Sequence, residues 1–235
     1  MNVVSIMAHQ DDEMRCLGTM LKCRARGDRL FFVTLTDGSK GMVQAPDMPR
    51  GEAAAIRAAE MSALAQAVGA GYLCLGEPDE FLYDTPEVRL KLIEAIRVTQ
   101  ADLILTHYSE DYNLDHVTVN LIIRHCAMQA CLPVLPTRSA PLRASPAIFM
   151  IEPFGSFDFP ATHYVDISAY HAEKIELLLH HASQETAMQA AVGSGLEAIC
   201  TRLEAYRGDL AGCPYAEAFL PMRGRGTMKA GPVLP

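Results

Sequence analysis

The sequence predicts an α/β fold with a mostly parallel sheet, on two observations. Short apolar runs alternate with helix-like stretches along most of the chain, the pattern of successive βαβ units. Runs such as Leu30-Phe31-Phe32-Val33-Thr34-Leu35 are apolar almost without interruption, as strands are when helices cover both faces of a sheet.

Asn2–Ala8 reads as the first strand, Leu17–Arg26 as the first helix and Leu30–Thr36 as the second strand. Glu52–Val68 is helix-like and leads to a strand at Tyr72–Leu75. Pro86–Thr99 is helix-like and leads to a strand at Leu103–Thr106. Leu114–Cys131 is the next helix and Ala147–Ile151 the fifth strand. Tyr164–Ile167 is a weaker sixth strand, and Ala169–Gln184 is the last helix. Each helix is expected where apolar residues recur at a helical period, each strand where a short apolar run meets turn residues. Segments 37–50, 132–146 and 153–161 are punctuated by Gly and Pro and read as loops. The tail after Phe219 is rich in Gly, Pro and Arg. It reads as a loosely ordered terminus, with an arm contacting another copy in a homo-oligomer as the alternative.

A chain of 235 residues, 50% of them hydrophobic, suits one domain spanning residues 1–235 with a full core. The formal net charge of -8 gives no electrostatic support to a nucleic-acid or anionic-membrane partner. No apolar run reaches the ~18–20 residues that span a bilayer. The amino terminus has neither the basic stretch nor the small-residue cleavage site of a signal peptide. Seven cysteines are scattered without a CxxC pair, so reduced thiols in a cytoplasmic protein are expected.

The chemistry concentrates directly after the first strand, at His9-Gln10-Asp11-Asp12-Glu13. In open α/β sheets, sites form beyond the carboxyl ends of strands. His9 and Asp12 are three apart, so a tight turn aims both at one point, with Asp11 beside it. A third ligand has to come from another strand end. The segment from Thr106 to His116 follows the fourth strand and ends where a helix begins, which puts His116 at the same edge of the sheet. Two imidazoles and one carboxylate leave a coordination position open, as catalytic zinc requires. One Zn2+ per chain is expected, with other divalent metals as alternatives. A carboxylate beside the ion is the general base that a hydrolase needs, and Asp11 is so placed.

Ala-His-Gln-Asp-Asp-Glu at 8–13 resembles the AHPDDE signature of the LmbE/PIG-L N-deacetylases, with Gln10 in place of the usual proline. Ser-Glu-Asp-Tyr-Asn-Leu-Asp-His at 109–116 resembles their second motif, which typically ends HPDH. Further similar positions are Thr36-Asp37-Gly38, Arg57 to Glu60, Pro78-Asp79, Val165-Asp166-Ile167, Lys174 with His181 to Gln184, and Tyr215 to Phe219. The resemblance implies a Rossmann-like, three-layer αβα fold. It also implies hydrolysis of an N-acyl group, usually acetyl, from a small-molecule amino sugar or its conjugate, with a water activated by the metal attacking the amide. His9, Asp12 and His116 become the metal ligands, Asp11 the general base, and Arg57 a substrate contact. Many members have a histidine at the position of Asn113 that stabilises the tetrahedral oxyanion, oriented by the counterpart of Asp115. Asn113 donates a hydrogen bond but carries no charge. Either it or Tyr112 supplies the donor, or turnover falls, since losing one oxyanion donor costs ~10²–10³ in kcat.

Several of these residues have a plainer reading. Asn113 stands where a helix N-cap belongs. Arg57 and Glu60, three apart on a helix, make a surface ion pair. Asp79 orients a ligand histidine or starts a turn. Glu13 reads as a helix-start carboxylate. Phe154, Phe157 and Phe159 line an acyl pocket or pin down their own loop. Two histidines and a carboxylate also serve non-haem Fe(II) oxygenases. The remaining alternatives are a hydratase of a carboxylic acid and a metal-binding protein without deacetylase activity.

Overall fold

The computed structural model describes residues 1–224, 226, 228 and 231–235. Its strands are β1 (Asn2–Met7), β2 (Arg29–Thr36), β3 (Gly71–Glu77), β4 (Leu103–Thr106), β5 (Ala147–Ile151), β6 (His163–Asp166) and β7 (Ala216–Pro221). They form one seven-stranded sheet in the order β3-β2-β1-β4-β5-β7-β6. β1 to β5 are mutually parallel, and β7 runs antiparallel to both its neighbours. The chain starts mid-sheet, builds outward through β2 and β3, then returns to add β4 and β5 on the other side. That reversal opens a crevice at the carboxyl ends of β1 and β4, where open α/β sheets bind ligands.

Strand side chains alternate between two apolar layers. Val3, Met7, Leu30, Phe32, Leu103 and Leu105 enter one. Val4, Ile6, Val33, Leu35 and Ile104 enter the other. Helices α1 (Leu17–Ala25), α2 (Arg50–Val68), α5 (His171–Leu178) and α7 (Leu196–Ala211) cover the first face. Helices α3 (Pro86–Val98) and α4 (Leu114–Gln129) cover the second. Both faces are therefore dry, which accounts for the unbroken apolar run in β2. The architecture is the expected three-layer αβα sandwich.

Three expectations need correction. The helix read over Ala169–Gln184 is two helices, α5 and α6 (Ala182–Val192). The chain leaves helical geometry at His181, with ψ 58°, where the buried ring reaches Glu13. Helix α7 and strand β7 lie where no element was expected. Glu217 interrupts the apolar pattern of β7, yet it is buried. Its carboxylate accepts from the N–H groups of Gly18 and Thr19, capping donors that α1 leaves open. Part of the tail read as loose is built in. Residues up to Pro221 belong to β7, and Val233 and Leu234 pack against the core. Residues 225, 227, 229 and 230 of that tail lie outside the described residues. Among the described residues, no helix is long and apolar enough to cross a membrane.

Candidate metal centre and its cavity

β1 ends in a turn held in an unusual conformation. Asp11 has φ 109°, and a short 3-10 turn, Asp12–Arg15, follows. A non-glycine residue in that region costs about 1–3 kcal/mol and persists only where its surroundings hold it. Here they do. Glu13 accepts from the Asp11 N–H (2.9 Å) and pairs with His181 Nε2 (2.7 Å). Arg57 Nη2 donates to Asp11 Oδ1 (2.7 Å) and to the Gln10 carbonyl. Arg57 also lies 3.4 Å from Glu60, whose carboxylate accepts from the N–H and hydroxyl of Ser183. The Gln10 side chain is fully buried, with Nε2 3.3 Å from both the Thr36 carbonyl and the Tyr72 hydroxyl. Gly38 crosses over it with φ +66°, and any Cβ there would collide with Gln10 Oε1.

The end of β4 supplies the other half. His107 Nε2 accepts from the Ala8 N–H at 2.9 Å, tying the two strand ends together. Asn113 caps α4, its Oδ1 accepting from the Asp115 N–H (2.8 Å) while Nδ2 donates to Glu80 (3.3 Å). His116 then projects from the first turn of α4.

His9, Asp12 and His116 converge. His9 Nδ1 lies 3.2 Å from His116 Nε2 and 3.4 Å from Asp12 Oδ2, and His116 Nε2 lies 3.3 Å from Asp12 Oδ1. A tetrahedral zinc with bonds of ~2.0–2.1 Å places its ligand atoms about 3.3–3.4 Å apart. Asp12 turns a different oxygen to each imidazole, and one ligand atom from each of the three residues lies within 4.8 Å of the other two, so the donor set fits one divalent ion. Each imidazole turns its other nitrogen to a carboxylate, as metal-binding histidines do. His116 Nδ1 lies 2.9 Å from Asp111 Oδ2. His9 Nε2 lies 3.0 Å from Asp79 and 3.4 Å from Asp115, without the alignment of a hydrogen bond. Asp115 in turn accepts from the backbone N–H groups of Glu80 and Leu82.

The charges respond to this crowding. Burial opposes protonation of His9, but Asp115, Asp12 and Asp79 outweigh it and hold the imidazole well above its ordinary range. Burial also opposes protonation of His116, and Asp12 and Asp111 raise it to about 9. His107, buried against His116, is lowered to about 4. Burial raises the Asp11 carboxyl above the usual carboxylate value, against the pull of Arg57.

The site opens into a cavity of about 220 Å³ lined by Asp11, Asp12, His116, Tyr112, Asn113 and Phe154, among others. Arg57 is only 1% exposed, so its pairing with Glu60 is a buried one, not the surface pair of the plainer reading. Tyr112 stands exposed at the mouth, its ring 6.1 Å from that of His116 and 6.4 Å from that of Phe154. The three phenylalanines separate. Phe154 lines the cavity, Phe159 is buried edge-on against Tyr108, and Phe157 is exposed. Sequence reasoning gave no role to Asp111, to the Glu13–His181 pair or to Arg15. Asp111 had a legible signal, an acid in the strand-to-helix turn five residues before His116.

A three-layer α/β sandwich with a His–Asp–His constellation at its switch point defines the class. The chain belongs to the PIG-L (LmbE) family: residues 4–127 match that family, described as GlcNAc-PI de-N-acetylase. Among solved structures it resembles N,N'-diacetylchitobiose deacetylase from Pyrococcus horikoshii. The TM-score is 0.79 at 22% identity, covering 94% of this chain and 83% of that one. A conserved protein from Thermus thermophilus is 27% identical with TM-score 0.77, covering 97% of this chain and 99% of that one. The 4-carboxy-2-hydroxymuconate hydratase of Pseudomonas putida superposes with TM-score 0.81 at 20% identity, covering 98% and 100%. No protein of curated function matches the sequence significantly.

Proposed function

We propose that this protein is a zinc-dependent hydrolase that removes an N-acyl group, acetyl first of all, from an amino sugar or its conjugate. One observation carries the reading: a buried carboxylate, Asp11, lines the same cavity as His9, Asp12 and His116, which bring ligand atoms within 4.8 Å of one another. The family description and the deacetylase among the similar structures support it. His9, Asp12 and His116 would hold the ion, which when bound supplies a Lewis acid for the amide carbonyl and for water.

The chain's own residues then do the proton work. Arg57 engages Asp11 Oδ1, which leaves Oδ2 to take the proton of the attacking water. As the C–N bond breaks, Asp11 returns that proton to the departing nitrogen, giving a carboxylic acid and an amine. Asn113 spends one N–H on Glu80. A primary amide has two, so the second serves the carbonyl oxygen as negative charge develops there. Tyr112 at the mouth contacts the substrate.

The test is acetate release from a panel of N-acetylated amino sugars. Release should be abolished by chelation and restored by Zn2+. Silence across the panel with metal bound overturns the reading. Water addition without cleavage would assign a hydratase, and oxygen uptake with iron an oxygenase.

A further inference from the structure

The cavity wall carries a buried cation without a partner. Arg15 ends the 3-10 turn Asp12–Arg15 and is 9% exposed. Its Nε and Nη1 have no hydrogen-bond partner among the described residues. The carboxylates that line a small recess with it are engaged elsewhere. Glu152 receives the fork of Arg207, at 2.7 Å for each bond. Glu204 Oε1 is held by Lys174, and its Oε2 lies 3.3 Å from His171 without a hydrogen bond among the described residues. Glu217 accepts from Lys174, Gly18 and Thr19. What Arg15 does meet is the Phe154 ring, 5.7 Å from its guanidinium carbon, a contact that orients the group without satisfying its N–H donors.

Side chains three apart in a 3-10 helix eclipse one another. Arg15 therefore stands on the same side of the turn as Asp12, about 6 Å further along its axis. Both line the cavity, whose other titratable groups include Asp11, Asp79, Glu80 and Asp111. A buried charge is stable only when paired, and a planar fork of N–H donors matches carboxylate and phosphate. We propose that Arg15, braced on Phe154, binds an anionic group, carboxylate or phosphate, carried by the substrate one turn away from the reacting amide. The proposal rests on the N-deacylase reading only in placing the anion and the N-acyl group on one molecule.

The experiment uses the intact zinc-loaded protein as wild type, Arg15→Met and Arg15→Lys. Calorimetry with succinate and with inorganic phosphate reads anion binding without turnover. Arg15→Met should weaken it on the order of tenfold or more, and Arg15→Lys should fall between. Without ligand, Arg15→Met should melt higher than wild type, because it removes an unpaired buried charge. A merely structural arginine would melt lower when lost. Kinetics on N-acetylglucosamine, its 6-phosphate and N-acetylmuramic acid complete the test. Arg15→Met should raise KM for an anionic substrate and spare the neutral one, and whichever anion responds names the group. Unchanged anion affinity in Arg15→Met, or equal losses on neutral and anionic substrates, overturns the proposal. If no substrate is deacetylated but anion binding still depends on Arg15, the subsite stands and the deacetylase reading falls.

Discussion

Two clusters of buried charge differ in how their hydrogen bonds close. Around Lys174, which has no exposed surface, the amine donates to Glu204 and to Glu217 (2.7 Å), and Glu217 also accepts from two α1 amides. Burial opposes the charge on Lys174, but the two carboxylates outweigh it and raise its pKa. Opposite charges meet, and four elements, α1, α5, α7 and β7, are tied together. Around His9 and His116, two imidazole nitrogens instead face each other at 3.2 Å with a carboxylate beside them. Two cations there would repel. In the first cluster cation and carboxylates neutralise one another, whereas the second gathers His9, Asp12 and His116 into a group that could hold an ion. Closed pairing marks charge used for folding, and convergence of lone pairs marks charge reserved for chemistry.

The sharpest way to break this contrast is Asp11→Asn. Turnover should fall ~10²–10⁴-fold, while metal content by elemental analysis and the unfolding midpoint stay near wild type. Near-normal turnover would remove Asp11 from the mechanism. Next is Lys174→Met, which leaves two buried carboxylates without their cation and should cost about 3–5 kcal/mol in urea unfolding. Metal bound per folded molecule should not change, and a loss of metal without a loss of stability would merge the two clusters. Asp79→Asn probes the support of His9 and should weaken metal binding about 10–100-fold by competition with a chelator. Metal binding must displace protons from His9 and His116, both held above their ordinary range. Affinity should therefore drop on acidification, with proton release visible in weakly buffered calorimetry. The smallest effect is Asn113→Ala, about 1 kcal/mol through loss of the N-cap. Asn113→Asp keeps a cap oxygen but removes the N–H donors. A kcat loss in Asn113→Asp at unchanged stability would assign the donor role, and equal kcat would leave only the cap.

The alternation of apolar runs with helical stretches was enough for the sheet and six of its seven strands. It failed at β7, where Glu217 looks like a surface residue until Lys174 and the α1 amides are seen around it. It failed again between α5 and α6, where the chain breaks helical geometry at His181 and the buried ring meets Glu13. In the site, His9, Asp12 and His116 were legible because each follows a strand end at a spacing a turn can close. Asp111 carried a signal but no assignable role, because its place behind His116 depends on the path of the chain from β4 into α4. Arg57 read as a substrate contact or as a surface partner of Glu60, and only packing shows it buried against Asp11.

The sequence by itself determined the layers, the edge of the sheet that carries chemistry and the residue types gathered there, since these follow from periodicity and from the ends of strands. Tertiary structure alone decided which buried charges are already paired. Partners of Lys174, Arg57 and Arg207 come from distant parts of the chain, and pairing is a matter of ångströms that spacing along a sequence does not encode.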